Sequence, residues 1–190
     1  MAIVETTPQR LTGPWIEGYV LDRHVISSVP IGYYGPHMQF DTTRSALGEV
    51  VFQLKNRSGS AADVIDTASA FAARWRGQVD GIVVPPPSIL RRVQPAQVIA
   101  AGVATSLGVL VLEDAVIKAL RTPAMKNTAP PDRANLLAQA IERGPASVQG
   151  RHVLIVDDLW QTGATVRRVA AILIAGGAAS VRVLVMTRTR

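Results

Sequence analysis

The chain has 190 residues, 48% of them hydrophobic, enough for one α/β domain with a sizeable core. It contains no cysteine, which excludes disulfides and thiolate metal sites, and its three histidines, His24, His37 and His152, are too scattered in sequence to suggest a metal cluster. A formal charge of +6 suits a phosphate-bearing substrate or nucleic acid, but the basic residues cluster only at Arg91-Arg92, Arg167-Arg168 and Arg188-Thr189-Arg190, without interleaved aromatics.

Residues 1–13 are polar, end in Thr-Gly-Pro and read as a loose leader. Residues 14–40 form a β-rich N-terminal piece: Trp15, Ile16, Tyr19, Val20, Val25, Ile26, Val29 and Ile31, broken by Gly, Asp and Pro, predict two or three strands, with Gly35-Pro36-His37 as a turn. The main domain spans residues 41–190. Thr42 to Leu54 is expected to be a helix carrying Leu47, Val50, Val51 and Leu54 on one side. Ser60 can cap the next helix, whose stripe of Val64, Ala68, Phe71 and Trp75 is assigned to core packing. A strand over residues 80–84 enters Pro85-Pro86-Pro87-Ser88, and Pro95 begins a helix with Ile99, Val103 and Leu107 that stops at Gly108. Val109 to Leu112 is a strand, Ala119 to Pro131 is irregular, and Asp132 to Arg143 is expected to be a short helix ended by Gly144-Pro145. A final strand runs from Val181 to Met186. Strands alternating with helices imply an open parallel sheet flanked by helices. No apolar run reaches the ~18 residues of a membrane span. No charged-then-apolar export signal opens the chain, so a cytoplasmic location is expected.

The most informative stretch is Val153-Leu154-Ile155-Val156-Asp157-Asp158-Leu159-Trp160-Gln161-Thr162-Gly163-Ala164-Thr165. Four apolar residues read as a buried parallel strand, two carboxylates stand where it ends, and a Thr/Gly loop leads into a helix with Val166, Ala170, Leu173 and Gly177 at helical spacing. Ligands of open α/β sheets bind beyond the carboxyl ends of the strands, and a helix N-terminus offers unpaired N–H groups to an anion. Carboxylates accept hydrogen bonds from a diol, while N–H groups and threonine hydroxyls receive a phosphate. A sugar phosphate with free vicinal hydroxyls fits both ends. A response-regulator receiver domain also begins with an apolar strand and an Asp pair, but it needs a later Asp and then a Lys, and neither residue type occurs after Asp158.

This motif resembles the phosphoribosyl-pyrophosphate (PRPP) loop of type I phosphoribosyltransferases. The resemblance implies that fold for the main domain, and that Asp157 and Asp158 hold the ribose 2′- and 3′-hydroxyls and act as the catalytic pair that stabilises oxocarbenium-like charge. It implies that the loop of Gln161, Thr162, Gly163, Ala164 and Thr165 wraps the 5′-phosphate. It also implies Mg²⁺ as cofactor, carried mainly on PRPP with no protein ligand set assigned. Arg91 or Arg92, after the stiff Pro85–Pro87 loop, is the candidate for pyrophosphate, and Lys118, Lys126 and Arg133 are candidates for a basic hood that closes over the reacting carbon. Trp160 either stacks on an incoming base or packs against the neighbouring β-α unit; packing is the reading adopted.

The approach Asp41-Thr42-Thr43-Arg44, Lys55, the Pro-rich Arg loop and the Lys126-Asn127 to Arg133 segment resemble the ComF-like (competence-protein) branch. That branch usually begins with a four-Cys zinc piece, for which this chain has no cysteines, and of its Arg-Gly-Phe-Asn-Gln run only the Gln of Val93-Gln94-Pro95-Ala96-Gln97 remains. The expected function is phosphoribosyl transfer from PRPP to an unidentified small-molecule acceptor. The alternative is a catalytically silent PRPP- or nucleotide-sensing regulator on the same fold, compatible with nucleic-acid association. A homodimer is compatible with either reading; nucleic acid has no motif of its own, and no membrane partner is expected.

Hypoxanthine-type enzymes carry an Asp before Thr-Gly that exchanges a proton with the purine ring, and here the matching residue is Gln161. An amide has no usable pKa near neutrality. Assays with hypoxanthine and guanine as acceptors should therefore give turnover well below ~1 s⁻¹, and Gln161→Asp should raise it; ordinary turnover by the wild type would refute the argument.

Overall fold

The computed structural model describes residues 2–57, 59–87, 89, 91–118, 136 and 140–189. Among them, a six-stranded sheet is built from β1 (Gln9–Arg10), β2 (Glu17–Arg23), β10 (Ser180–Arg188), β9 (His152–Trp160), β5 (Gly81–Val83) and β6 (Leu110–Val111), in that spatial order. β2, β10, β9, β5 and β6 run parallel, and β1 closes one edge antiparallel to β2. A parallel strand covered on both faces must be apolar on both. β9 meets this requirement by alternation: Leu154 and Val156 enter one core with α1 (Ala46–Asn56), α2 (Ala62–Ala72) and α3 (Pro95–Leu107), whereas Val153 and Ile155 enter the other with α4 (Ala164–Ala175). β10 divides in the same way, Leu184 and Met186 against Val181, Val183 and Val185.

The helices form where the sequence stripes predict. Val64, Ala68 and Trp75 of the second stripe are buried, and Phe71 packs against them edge-on to Trp75. Pro95 opens α3 and Gly108 ends it in the left-handed region, φ 74°. Ser60 contributes less than expected: α2 has no side-chain-bonded N-cap, and the Ser60 hydroxyl accepts one N–H, from Ala62, at 3.2 Å.

Four expectations need correction. Thr42–Arg44 do not begin α1 but end β4 (His37–Arg44), in keeping with two consecutive β-branched threonines; α1 starts after Ser45, whose hydroxyl accepts the Gly48 N–H at 2.9 Å and donates to the Arg23 carbonyl at 2.5 Å. Ile141–Arg143, expected at the end of a helix, form β8, antiparallel to β7 (Val116–Lys118). The strand bearing the Asp pair continues through it to Trp160, because β10 supplies backbone partners up to Arg188. Residues 2–13 are held rather than loose: Val4 N–H donates to Thr67 Oγ1 at 2.9 Å, Gln9–Arg10 pair with β2, and Leu11 is buried. The irregular stretch expected over residues 119–131 lies outside the described residues.

Within the expected β-rich segment, Glu17–Arg23 belongs to the main sheet, while, among the described residues, β3 (Val25–Tyr34) and β4 pair only with each other as a two-stranded ribbon.

Among the described residues Trp75 is the largest fully buried side chain, and its indole N–H donates to Glu17 Oε2 at 2.7 Å, tying the turn after α2 to β2. Trp75→Ala should destabilise the fold by about 3–5 kcal/mol. Urea unfolding should show the loss as a lower midpoint at unchanged slope.

Candidate functional site

At the carboxyl end of β9 the two carboxylates diverge, since successive strand residues face opposite sides of a sheet. Asp158 continues the Leu154–Val156 side, toward α1, where Lys55 Nζ lies 3.3 Å from its Oδ2. Asp157 continues the Val153–Ile155 side, toward α4. Both still line one cleft, together with Lys55, Pro85–Pro87, Arg91, Gln94, Gln97, Lys118 and Gln161–Thr165.

Burial at the cleft floor pushes the Asp157 carboxyl well above the ordinary carboxylate range, and the Asp158 charge acts in the same direction. The Asp158 N–H, donated to Asp157 Oδ1 at 2.9 Å, and the Lys55 ammonium oppose that rise only in part. The backbone around Asp158 is fixed from β10: Thr187 Oγ1 donates to the Asp158 carbonyl at 3.2 Å and stands 3.0 Å from His24 Nδ1. Because the hydroxyl proton is committed to the carbonyl, Nδ1–H of His24 is the donor to Thr187. Burial, aided by Arg44 and Lys55, lowers the His24 pKa, which favours this neutral ring.

The phosphate-type loop is held in shape from outside. Gly163 occupies the left-handed region at φ 77°, and a Cβ there would lie 2.2 Å from the Trp160 ring and 2.5 Å from the Arg167 guanidinium. Arg167 donates to the Thr162 carbonyl at 3.0 Å and the Thr12 carbonyl at 3.3 Å, and lies over the Trp160 ring. Trp160 is buried edge-on against Trp15, so it packs rather than offering a face for stacking. No side chain caps α4 at Gly163; Ala164 N–H donates to Thr162 Oγ1 at 3.3 Å. The start of α4 therefore presents backbone donors to the cleft.

Of the residues singled out in the sequence, Asp157, Asp158, Gln161–Thr165, Arg91 and Lys118 converge on this cleft. Arg92 is exposed and does not line it. Lys126 and Arg133 lie outside the described residues. Lys55 and Gln94 join the lining without having been assigned a role in the sequence. Lys55 sits in the last turn of α1, where its spacing marks only the end of an apolar stripe, and the contact with Asp158 spans 103 residues. Three cations, Lys55, Arg91 and Lys118, face two carboxylates, so the lining favours an anionic ligand that also carries hydrogen-bond donors. Among the described residues no three His, Cys, Asp or Glu side chains gather in one place. Two carboxylates suit a Mg²⁺ that arrives with phosphate oxygens and water.

A carboxyl raised by burial retains in the fold a proton that the unfolded chain releases. Stability contributed by that proton is present at low pH and is lost as pH rises from the ordinary Asp range through the raised one. Asp157→Asn should abolish this slope and exceed the wild type in Tm above the window, by about 2–4 °C per kcal/mol recovered. Melting curves between about pH 4 and pH 8, a range covering the ordinary Asp pKa and above, check it: parallel profiles for the two proteins would contradict the strained carboxyl.

Residues 93–190, more than half of the chain, match the phosphoribosyl transferase domain family. A 42-residue stretch, 22% of the chain, is 52% identical to the DNA utilization protein YhgH of Escherichia coli (strain K12), and a protein of the same name from Shigella flexneri matches equally. That stretch covers only 18% of the relative's length. Among solved structures, a hypoxanthine phosphoribosyltransferase from Staphylococcus aureus is 11% identical, over 66% of this chain and 63% of that one, with a TM-score of 0.44. One from Trypanosoma cruzi is 17% identical, over 68% of this chain and 67% of that one, also at 0.44. With the strand, loop and helix of the cleft all inside the matched residues, the chain belongs to the phosphoribosyl transferase domain family and has the parallel sheet of its type I fold.

Proposed function

We propose that the chain binds PRPP as its Mg²⁺ complex in this cleft and transfers the phosphoribosyl group to an acceptor other than a hypoxanthine-type purine. The observation that carries the proposal is the joining, within a short loop, of a carboxylate pair to a helix N-terminus whose N-cap is Gly163, under three cations. Asp157 and Asp158 accept hydrogen bonds from the ribose 2′- and 3′-hydroxyls. The 5′-phosphate lies in the loop from Gln161 to Thr165, on backbone N–H groups and the threonine hydroxyls. Arg91 and Lys118 receive the pyrophosphate. As its bond to the ribose anomeric carbon breaks, pyrophosphate leaves with the electron pair and the acceptor's lone pair forms the new bond. The carboxylates stabilise the positive charge that develops on the ring between those events. Lys55 orients Asp158 through their 3.3 Å ion pair. Mg²⁺, when bound, neutralises the leaving pyrophosphate.

The finer placement in the ComF-like branch is supported by the Asp41–Arg44 approach, Lys55 and the Pro-rich Arg loop. The name of the relative matched over 42 residues concerns DNA utilization; a DNA-linked role for this chain is a proposal resting on that stretch alone. One feature favours the non-catalytic alternative, a PRPP-sensing regulator: Gln161 leaves the loop without a proton carrier. Pyrophosphate release in the presence of PRPP, Mg²⁺ and a panel of bases and amines separates the two, since a sensor binds without release.

Charge-assisted hydrogen bonds contribute ~1.5–3 kcal/mol each, so Asp157→Asn with Asp158→Asn should weaken PRPP binding by about 3 kcal/mol or more, a factor above ~100. Unchanged affinity in titration calorimetry would remove the proposal.

A further inference from the structure

The basic pair Arg167-Arg168 does not line the cleft, and its first member sits where a cation is out of place. Arg167 lies in the first turn of α4, and its N–H donates to the carbonyl of the N-cap Gly163 at 2.9 Å. A cation near a helix N-terminus opposes the helix dipole, so Arg167 does not serve the helix that carries it. Its guanidinium is engaged on three sides. Nη1 donates to the Thr162 carbonyl at 3.0 Å, Nη2 donates to the Thr12 carbonyl at 3.3 Å, and the group stands 5.1 Å from the centroid of the Trp160 ring. Arg168 turns elsewhere, donating to the Ile141 carbonyl at 3.1 Å.

These contacts fix one peptide plane. Thr162 and Gly163 line the cleft, whereas Arg167 and Thr12 do not, so the bond to the Thr162 carbonyl lies on the side away from a ligand. The peptide between Thr162 and Gly163 is trans. In a planar trans peptide the carbonyl and the following N–H point in opposite directions. A Thr162 carbonyl held outward therefore directs the Gly163 N–H into the cleft. The next N–H, of Ala164, is already turned to Thr162 Oγ1 at 3.3 Å. Gly163 is buried, and among the described residues no protein acceptor takes its N–H. A buried donor without a partner is costly until an acceptor enters, and an anion is the strongest one.

We infer that Arg167 is a positioning residue for phosphate recognition: it pins the Thr162 carbonyl outside the cleft and so aims the Gly163 N–H at the ligand's 5′-phosphate. The inference rests on the proposed placing of a phosphate in this loop. The residue type matters because two carbonyls must be held at once. A guanidinium holds them with two nitrogens of one rigid plane, and that plane can lie over an indole. A lysine ammonium carries the same charge on a flexible stem and has no such fork. Gly163 completes the fit, since a Cβ there would meet Arg167 Nη1 at 2.5 Å. The second hold, on the Thr12 carbonyl, spans 155 positions of sequence, so the segment before β2 sets the aim of a donor in the loop.

Titration calorimetry of the full chain with ribose 5-phosphate, with amide NMR on the same samples, tests this. In the wild type the Gly163 amide proton should move downfield on saturation, as a donor to a charged oxygen does. Arg167→Ala and Arg167→Lys should each weaken binding about tenfold, the loss of one aligned charge-assisted hydrogen bond, and the Gly163 shift should shrink in both. A merely structural role would leave that one amide unmoved by the ligand. Should Arg167→Ala fail to fold, Arg167→Lys, which keeps charge and stem, decides alone. Three results overturn the inference and leave the proposed function standing: a wild-type Gly163 amide unmoved by bound ribose 5-phosphate, an undiminished shift in the variants, or Arg167→Lys binding within about twofold of wild type. Absence of wild-type binding to both ribose 5-phosphate and Mg²⁺-PRPP removes the proposed function, and the inference with it.

Discussion

Two consecutive carboxylates at the end of a buried strand repel each other, and the arrangement around the cleft answers that constraint. The pleat of β9 sends Asp157 and Asp158 to opposite sides of the sheet, and the two sides then treat them differently. Asp158 meets the Lys55 ammonium from α1, so its charge is compensated. Asp157 has only a neighbouring N–H and a more distant cation to set against burial, and its carboxyl is driven toward the neutral form. Different environments give two adjacent acids different roles. One is held in an ion pair with Lys55. The other responds to whatever enters the cleft.

The phosphate-type loop depends on residues far from it in sequence. Gly163 is required because Trp160 and Arg167 occupy the space a side chain would need. Trp160 holds that position against Trp15, whose indole N–H donates to the Leu11 carbonyl at 3.0 Å. Arg167 joins the loop to the same N-terminal segment through the Thr12 carbonyl. Residues 11–15 thus support the loop from behind, and a pre-shaped loop loses less entropy when it closes on a phosphate.

Legibility in the sequence followed the range of the interactions. The β9–loop–α4 unit could be read because its signals are local: an apolar run, an acidic pair, Thr-Gly and a helical stripe lie within about two dozen residues, one supersecondary unit. α2 and α3 were legible for the same reason, with Pro95 and Gly108 marking the ends of α3. The start of α1 was misplaced because Thr42 and Thr43 fit the tail of an apolar helical pattern as well as the end of a strand; pairing with β3 decides, and pairing is not local. β8 was missed for the same reason, since its only described strand partner is β7. Lys55 was marked by the family resemblance alone, with no local signal of what it does. Its role comes from a contact across 103 positions, and nothing in the last turn of an amphipathic helix separates such a lysine from one facing water. The leader's anchorage was likewise invisible, because single hydrogen bonds from Ala2 and Val4 to Asp63 and Thr67 leave no periodic trace.

The strained carboxyl bears on what the cleft can discriminate. In the ligand-free protein the fold favours neutral Asp157, which can donate one hydrogen bond and accept others; ionised, it accepts only. A ligand that brings hydroxyl donors, or a cation carried on phosphates, favours the ionised form that folding disfavours. A bare phosphate or pyrophosphate presents no vicinal diol and adds negative charge beside an acid already hard to ionise. The loop and the cations Lys55, Arg91 and Lys118 would accept either kind of anion. Asp157 separates them: only an anion that also presents a diol, or travels with its own cation, relieves the cost of ionising the buried acid. Under the proposed function, the acid pair selects a sugar phosphate over free phosphate by adding a penalty that the wrong ligand cannot offset.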